Sequence, residues 1–93
     1  MEIKNDELLR QFEHKTEEGN VIVEYSFQER KLFLTKMNVS ENIHEETIND
    51  VLHEIMQIAE EKRWRVVPTQ AAISTFMKKN PTYKDLLPPG IRL

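Results

Sequence analysis

The amino-acid sequence predicts an α+β domain in the element order β-β-β-α-β-α. Its sheet is mixed, with one antiparallel hairpin and one parallel βαβ crossover. Three observations predict this. Val21 to Gln28 and Lys31 to Val39 alternate apolar and polar residues, as half-buried strands do. Only Glu29-Arg30 separates them, so the two strands pair antiparallel. A long stretch of helical periodicity then leads into the short β-branched run Arg65-Val-Val-Pro-Thr69, and a strand, a helix and a second strand in that order make a parallel crossover.

In chain order, residues 1–7 are polar and predicted to be loose. Leu8 to His14 is predicted as a weak first strand with two or three apolar anchors. Lys15 to Asn20 is a turn, with Gly19 supplying the positive φ. In the next strand Val21, Val23, Tyr25 and Phe27 share one face, and Ile22, Glu24, Ser26 and Gln28 the other. Strict alternation in the third strand places Phe33, Thr35, Met37 and Val39 opposite Leu32, Leu34, Lys36 and Asn38. Both faces then carry apolar residues, which predicts cover on both sides of that strand.

The long helix is predicted at about residues 43–62, with Asn42 and Glu45 as an Asn version of the capping box. Ile48, Val51, Leu52, Ile55, Ile58 and Ala59 follow the i, i+3, i+4, i+7 rule. Acids crowd its first turns and Lys62 and Arg63 its end, as the helix dipole favours. Pro68 has no N–H, so the last strand must end, bulge or lie at an edge there. Ala71 to Lys79 is a second helix with Ile73, Phe76 and Met77 on one face, stopped by Asn80-Pro81. Leu86 to Leu93 is expected to be irregular.

The chain has 93 residues, enough for a single domain over 1–93. A chain of this size buries only about 60–65% of its unfolded surface, which favours an exposed groove or a self-associating face over a deep enclosed site. Thirteen basic residues against sixteen acidic ones give a net charge of −3, and the sequence shows no basic stripe. That balance argues against a nucleic-acid partner. The absence of cysteine removes disulfides, thiolate zinc sites and a thiol nucleophile. No apolar run approaches the roughly 20 residues needed to span a membrane. The charged start, Met-Glu-Ile-Lys-Asn-Asp-Glu, lacks the apolar core of a signal peptide, so the expected location is cytoplasmic, with no membrane partner. Gly19 and Gly90 are the only glycines, so the middle of the chain holds no glycine-rich phosphate loop.

Several side chains have types suited to chemistry. Glu46, Asp50, His53 and Gln57 fall on one face of the long helix and could serve a metal or acid–base work. One helix cannot build a convergent site alone, so the ordinary reading is a solvated face and no metal site. His53-Glu54 opens like a zinc-protease motif, but Gln57 occupies the next ligand position. Arg63-Trp64-Arg65 reads first as a junction Trp with solvated arginines, and Lys78-Lys79 as a solvated helix end. Tyr25 and Tyr83 could be general acids, although tyrosines in small domains are usually packing residues with a wetted hydroxyl. No catalytic residue is assigned.

One segment is more specific. Val66-Val-Pro-Thr-Gln-Ala-Ala-Ile-Ser-Thr-Phe-Met-Lys-Lys-Asn-Pro-Thr-Tyr-Lys-Asp-Leu-Leu87, read with the element order, resembles the short stand-alone GNAT-like N-acetyltransferases. Lys79, Asn80, Pro81, Tyr83, Asp85, Leu86 and Leu87 match that family's Lys/Arg-His/Asn-Pro-x-Tyr-x-Asp-Leu ending. Val39-Ser40-Glu41 matches its lead into the main helix. The resemblance covers roughly residues 9–87. It implies a minimal GNAT-like fold and acetyl-CoA as cofactor. The pantetheine arm would lie against the backbone around Met37 and Val39, and Gln70 would face the thioester from the neighbouring strand.

The departures fall where the family binds the cofactor. Its pyrophosphate loop, Arg/Gln-x-x-Gly-x-Gly/Ala, corresponds here to His44, Glu45, Glu46, Thr47, Ile48 and Asn49. Thr47 and Asn49 stand in place of the glycines, and Glu45 and Glu46 add negative charge where the anion would sit. Two unit charges near 5 Å repel by about 3 kcal/mol at an effective dielectric of 20. Gln70 stands where the family tends to carry cysteine. The expectation is a GNAT-like domain with lost or weakened acetyl-CoA binding that binds another protein or forms a homodimer. The alternative is a small N-acetyltransferase acting on an amine acceptor the sequence does not name. The two are separated by whether a gap opens between the strand ending at Val39 and the strand beginning at Arg65.

Overall fold

The computed structural model describes residues 1–93. Five strands form one sheet in sequential order: β1 (Lys4–Asp6), β2 (Gln11–Thr16), β3 (Gly19–Gln28), β4 (Lys31–Val39) and β5 (Arg65–Pro68). The first four are antiparallel neighbours, and β5 runs parallel to β4. The expected hairpin and the expected parallel crossover are both present, in an α+β architecture with a mixed sheet. Helix α1 (Glu45–Lys62) connects β4 to β5, α2 (Ala71–Lys79) follows, and a 3-10 helix, η1 (Pro81–Leu86), closes the fold.

The N-terminal third differs from the sequence expectation. Residues 1–7 are not loose throughout: Lys4 to Asp6 pair with β2, and Lys4 lies opposite Glu13. The first strand does not begin at Leu8. Leu8 and Leu9 occupy a turn and point into solvent, 92% and 62% exposed. The Asp6 side chain explains the break, because its Oδ1 accepts a hydrogen bond from the Leu9 N–H at 3.0 Å and so competes with the ladder. Arg10 then takes a left-handed conformation, φ 56°, and the chain re-enters the sheet at Gln11. The following turn is also tighter than expected. Thr16 pairs with Gly19, leaving only Glu17 and Glu18 between the strands. Gly19 has φ +142°, and a Cβ there would lie 2.5 Å from the Ser40 Cβ, so glycine is needed for space as well as conformation.

The faces of β4 also need correction. Glu24 pairs with Lys36 but Tyr25 pairs with Leu34, which leaves Thr35 as an extra residue on β4. Such a bulge shifts the side-chain phase by one. Leu32 and Leu34, buried, therefore share a face with Met37 and Val39, which stand opposite Val23 and Val21. Phe33 is left on the other face, beside Val67. The apparent two-sided apolar character of this strand comes from the phase shift. Both helices and η1 pack with the sheet in one core cluster that includes Phe12, Val23, Leu34, Ile55, Phe76 and Tyr83. The opposite sheet face carries mainly polar residues such as Gln11, Glu24, Lys36 and Asn38.

Helix α1 begins two residues after the expected start, with His44 as N-cap and no side chain capping its first turn. The Asn42–Glu45 capping box does not form. Its C-terminus is better secured. Arg63 is left-handed, φ 59°, and the Arg63 and Trp64 amides donate to Glu60 and Ala59, as in a Schellman ending. The Arg30 guanidinium donates to the Lys62 carbonyl at 2.6 Å and to that of Arg63 at 3.2 Å, satisfying carbonyls the helix leaves unpaired. Arg30 and Glu29 both have positive φ, the backbone of a type I′ hairpin turn. The turn that joins β3 and β4 thus also caps α1. The expected irregular tail is present from Leu87 to Leu93; just before it, η1 buries Tyr83 and Leu86 in the core, a helical segment that the sequence pattern does not predict.

Candidate functional site

Strands β4 and β5 pair from Lys31↔Arg65 to Leu34↔Pro68 and then part. The parting falls beside the bulge at Thr35; Pro68 costs the ladder no bond, because the amides of Arg65 and Thr69 face β4 and its own N faces the open edge. The Leu34 carbonyl, at the fork, accepts from the Thr69 N–H at 3.1 Å and the Thr69 hydroxyl at 3.0 Å. Beyond it β4 runs on to Val39 without a partner on that side.

A groove of about 700 Å³ opens there, between the end of β4, the N-terminal half of α1 and one side of α2. Met37, Ile43, Ile48, Leu52 and Phe76 supply its apolar lining, and Glu45, Asn49, His53, Thr75, Lys79 and Asn80 its polar groups. The size is within the about 300–1,000 Å³ range of small-ligand pockets.

The expected cofactor residues divide. Met37 and Asn49 both line the groove. Val39 and Thr47 are half-buried outside its lining. Gln70 is already engaged: its Oε1 accepts from the Ile73 N–H at 2.9 Å and caps α2. Glu45, in the first turn of α1, lies in the groove lining, whereas Glu46 is exposed outside it. Of the candidate face on α1, Glu46, Asp50 and Gln57 are exposed, but His53 turns toward α2 and η1. No three His, Asp or Glu side chains converge to hold a metal ion.

His53 is the polar group with the most developed surroundings. Its Nδ1 lies 2.7 Å from the Tyr83 hydroxyl. Its ring packs edge-on against Phe76 at 4.8 Å and tilted against Tyr83 at 5.6 Å. Two arrangements fit this distance: the hydroxyl donates to Nδ1 with the ring proton on Nε2, or Nδ1–H donates to the hydroxyl oxygen and leaves Nε2 an acceptor. No polar atom of the half-buried His53 is both buried and unpartnered, so Nε2 is open to solvent. The groove therefore receives the second ring nitrogen of His53, a donor or an acceptor according to the tautomer. Reading the residues in order could not find this pair: its members are 30 positions apart, and neither carries a local signal of the contact.

Burial pushes the Tyr83 phenol above its ordinary value of 10.0, and the Glu60 carboxylate adds to the shift. Burial also raises Tyr25, opposed by its hydrogen bond to Asn5. These are the only tyrosines. Phenolate absorbance of the folded chain is thus expected to titrate above pH 10, and that of the urea-unfolded chain near about 10. Because the folded values are raised, the associated stability is intact below about pH 10 and is lost as pH rises through the folded values. The urea midpoint should fall on going from about pH 8 to about pH 11; coincident native and unfolded titrations would contradict this.

No helix of the chain is long and apolar enough to cross a membrane. No protein-family model matches the chain, and no curated protein matches it. The chain is a two-layer α+β domain with an open groove between the end of β4, the N-terminal half of α1 and one side of α2.

Proposed function

We propose that this chain is a GNAT-like domain in which acetyl-CoA binding is lost or greatly weakened, and that it works by binding another protein or itself. One observation carries the reading. Two of the positions that the resemblance assigns to the cofactor, Met37 and Asn49, line a groove, but its phosphate end does not suit a pyrophosphate. Glu45 lies there at the start of α1, and neither Thr47 nor Asn49 lets the backbone approach as glycine would. The apolar lining around Met37 and Leu52 suits an acyl–pantetheine arm; the anion-binding end does not suit its phosphates.

A second reading has a specific observation in its favour. The pairing of β4 with β5 stops at Leu34↔Pro68 and a groove lies beyond it on β4, which an acetyltransferase acting on an amine acceptor could use. Against it, one ring nitrogen of His53 is already engaged by Tyr83, and the other possible base, Glu45, lies at the end where the phosphates would sit.

Calorimetric titration with acetyl-CoA at physiological salt tests the proposal. The expected result is no heat, or a dissociation constant above about 100 μM, which corresponds to less than about 5.5 kcal/mol of binding. A low-micromolar constant would sink it. Acetyl transfer to a panel of lysine peptides and polyamines would then establish the second reading.

A further inference from the structure

We propose that two copies of this chain associate about a two-fold axis, with the Leu8-Leu9 turn of each seated in the Tyr25–Phe27–Trp64 cleft of the other. The inference deepens the self-association part of the function proposed above and rests on it.

The knob and the hole lie side by side on one surface. Leu8 and Leu9 are among the few large apolar side chains left exposed. The turn that presents them is fixed, by the Asp6 bond to the Leu9 N–H, by the left-handed Arg10, and by the Tyr25 N–H donating to the Arg10 carbonyl at 2.9 Å. Their exposure is therefore a feature of an ordered turn. Next to it is a cleft of about 260 Å³ lined by Tyr25, Phe27 and Trp64, with Asn5, Glu7 and Arg10 at its edge. It is below the about 300–1,000 Å³ of ordinary ligand pockets and suits one or two aliphatic side chains. Phe27 and Trp64 pack at 4.8 Å, making an aromatic wall of the kind that anchors interfaces.

Charge selects a second copy as the occupant. Glu7 and Arg10 flank the leucines and also line the cleft. Neither forms an ion pair within the chain, where the two bridges are Lys15–Glu13 and Lys31–Glu29. In a two-fold arrangement each surface meets itself reversed. Glu7 then meets Arg10 of the second copy, and Arg10 meets its Glu7.

Sedimentation velocity on the 93-residue chain tests this. The wild type is expected to show a concentration-dependent monomer–dimer equilibrium. Trp64, the only tryptophan, should change its emission on dilution through the same range. L8E/L9E should raise the dimer dissociation constant by about tenfold or more, with circular dichroism unchanged because both side chains are exposed. E7R and R10E should each weaken the dimer, and E7R/R10E together should restore it to within about threefold of wild type, the signature of a reciprocal pair. A chain monomeric up to about 1 mM, above the range of specific association, would overturn the proposal. So would a dimer indifferent to L8E/L9E, a double variant as weak as the singles, or a monomer whose leucines instead bind phosphatidylcholine vesicles. Tight acetyl-CoA binding would remove the functional reading but leave the dimer standing; a strict monomer would do the reverse.

Discussion

Leu34→Ala is expected to lower folding stability by about 2–5 kcal/mol, and Phe33→Ala by only about 1 kcal/mol. The two side chains are neighbours, and Phe is the larger, so volume alone would reverse the order. Leu34 is fully buried in the core cluster, and its truncation leaves a cavity beneath both helices. Phe33 is half-buried on the polar sheet face, where its loss removes a fraction of the roughly 1.5–3 kcal/mol that full burial contributes. A chain of 93 residues has a total stability of roughly 5–14 kcal/mol, so the Leu34 variant should lose at least about a seventh of it. Urea unfolding reads this directly: with a slope of about 1–3 kcal/mol/M, the midpoint should move by about 1 M or more for Leu34→Ala. Equal losses, or a larger one for Phe33, would mean that β4 is not bulged.

Glu45→Gln is expected to strengthen acetyl-CoA binding by about tenfold or more, and Glu46→Gln by much less. Glu45 lines the groove at the start of α1; Glu46 is exposed outside it. The Coulomb figure of about 3 kcal/mol at 5 Å and a dielectric of 20 is an upper bound, since Glu45 is exposed and salt screens it within about 10 Å at 0.1 M. Roughly half of it, about 1.4 kcal/mol, is tenfold in affinity. Parallel titrations at low and physiological salt check both parts: the gain should shrink as salt rises. If neither variant improves binding, the obstruction is the bulk of Thr47 and Asn49 in place of glycine, not charge.

Much of the architecture was legible along the chain because it rests on short-range periods. The hairpin from Val21 to Val39, the helix through Ile55 and the parallel return at Val66 all follow from alternation or helical spacing. What escaped reading depends on partners. Leu8-Leu9 has the composition of a strand, but the Asp6 side chain diverts it into a turn. Asn42 and Glu45 have capping-box spacing, yet the helix starts at Glu45 itself. The face change at Thr35 exists only because Leu34 and Lys36 pair with consecutive residues of β3. In the site, the resemblance sets Met37 beside the pantetheine arm and Asn49 in the pyrophosphate loop; both line the groove, Val39 and Thr47 do not, and Gln70 is held as a helix cap. The His53–Tyr83 contact was invisible, since nothing local to either residue encodes a meeting across 30 positions.

The extra residue in β4 gives the groove an unusual genetic fragility. With Thr35 removed, Leu32, Leu34, Met37 and Val39 would alternate without interruption with Phe33, Lys36 and Asn38, and every side chain would keep its present face. The fold would lose nothing from its apolar pattern. It would lose the bulge that falls where the pairing of β4 with β5 stops. The chain is thus one codon away from a regular strand, and loss of that codon would remove the bulge while sparing the core.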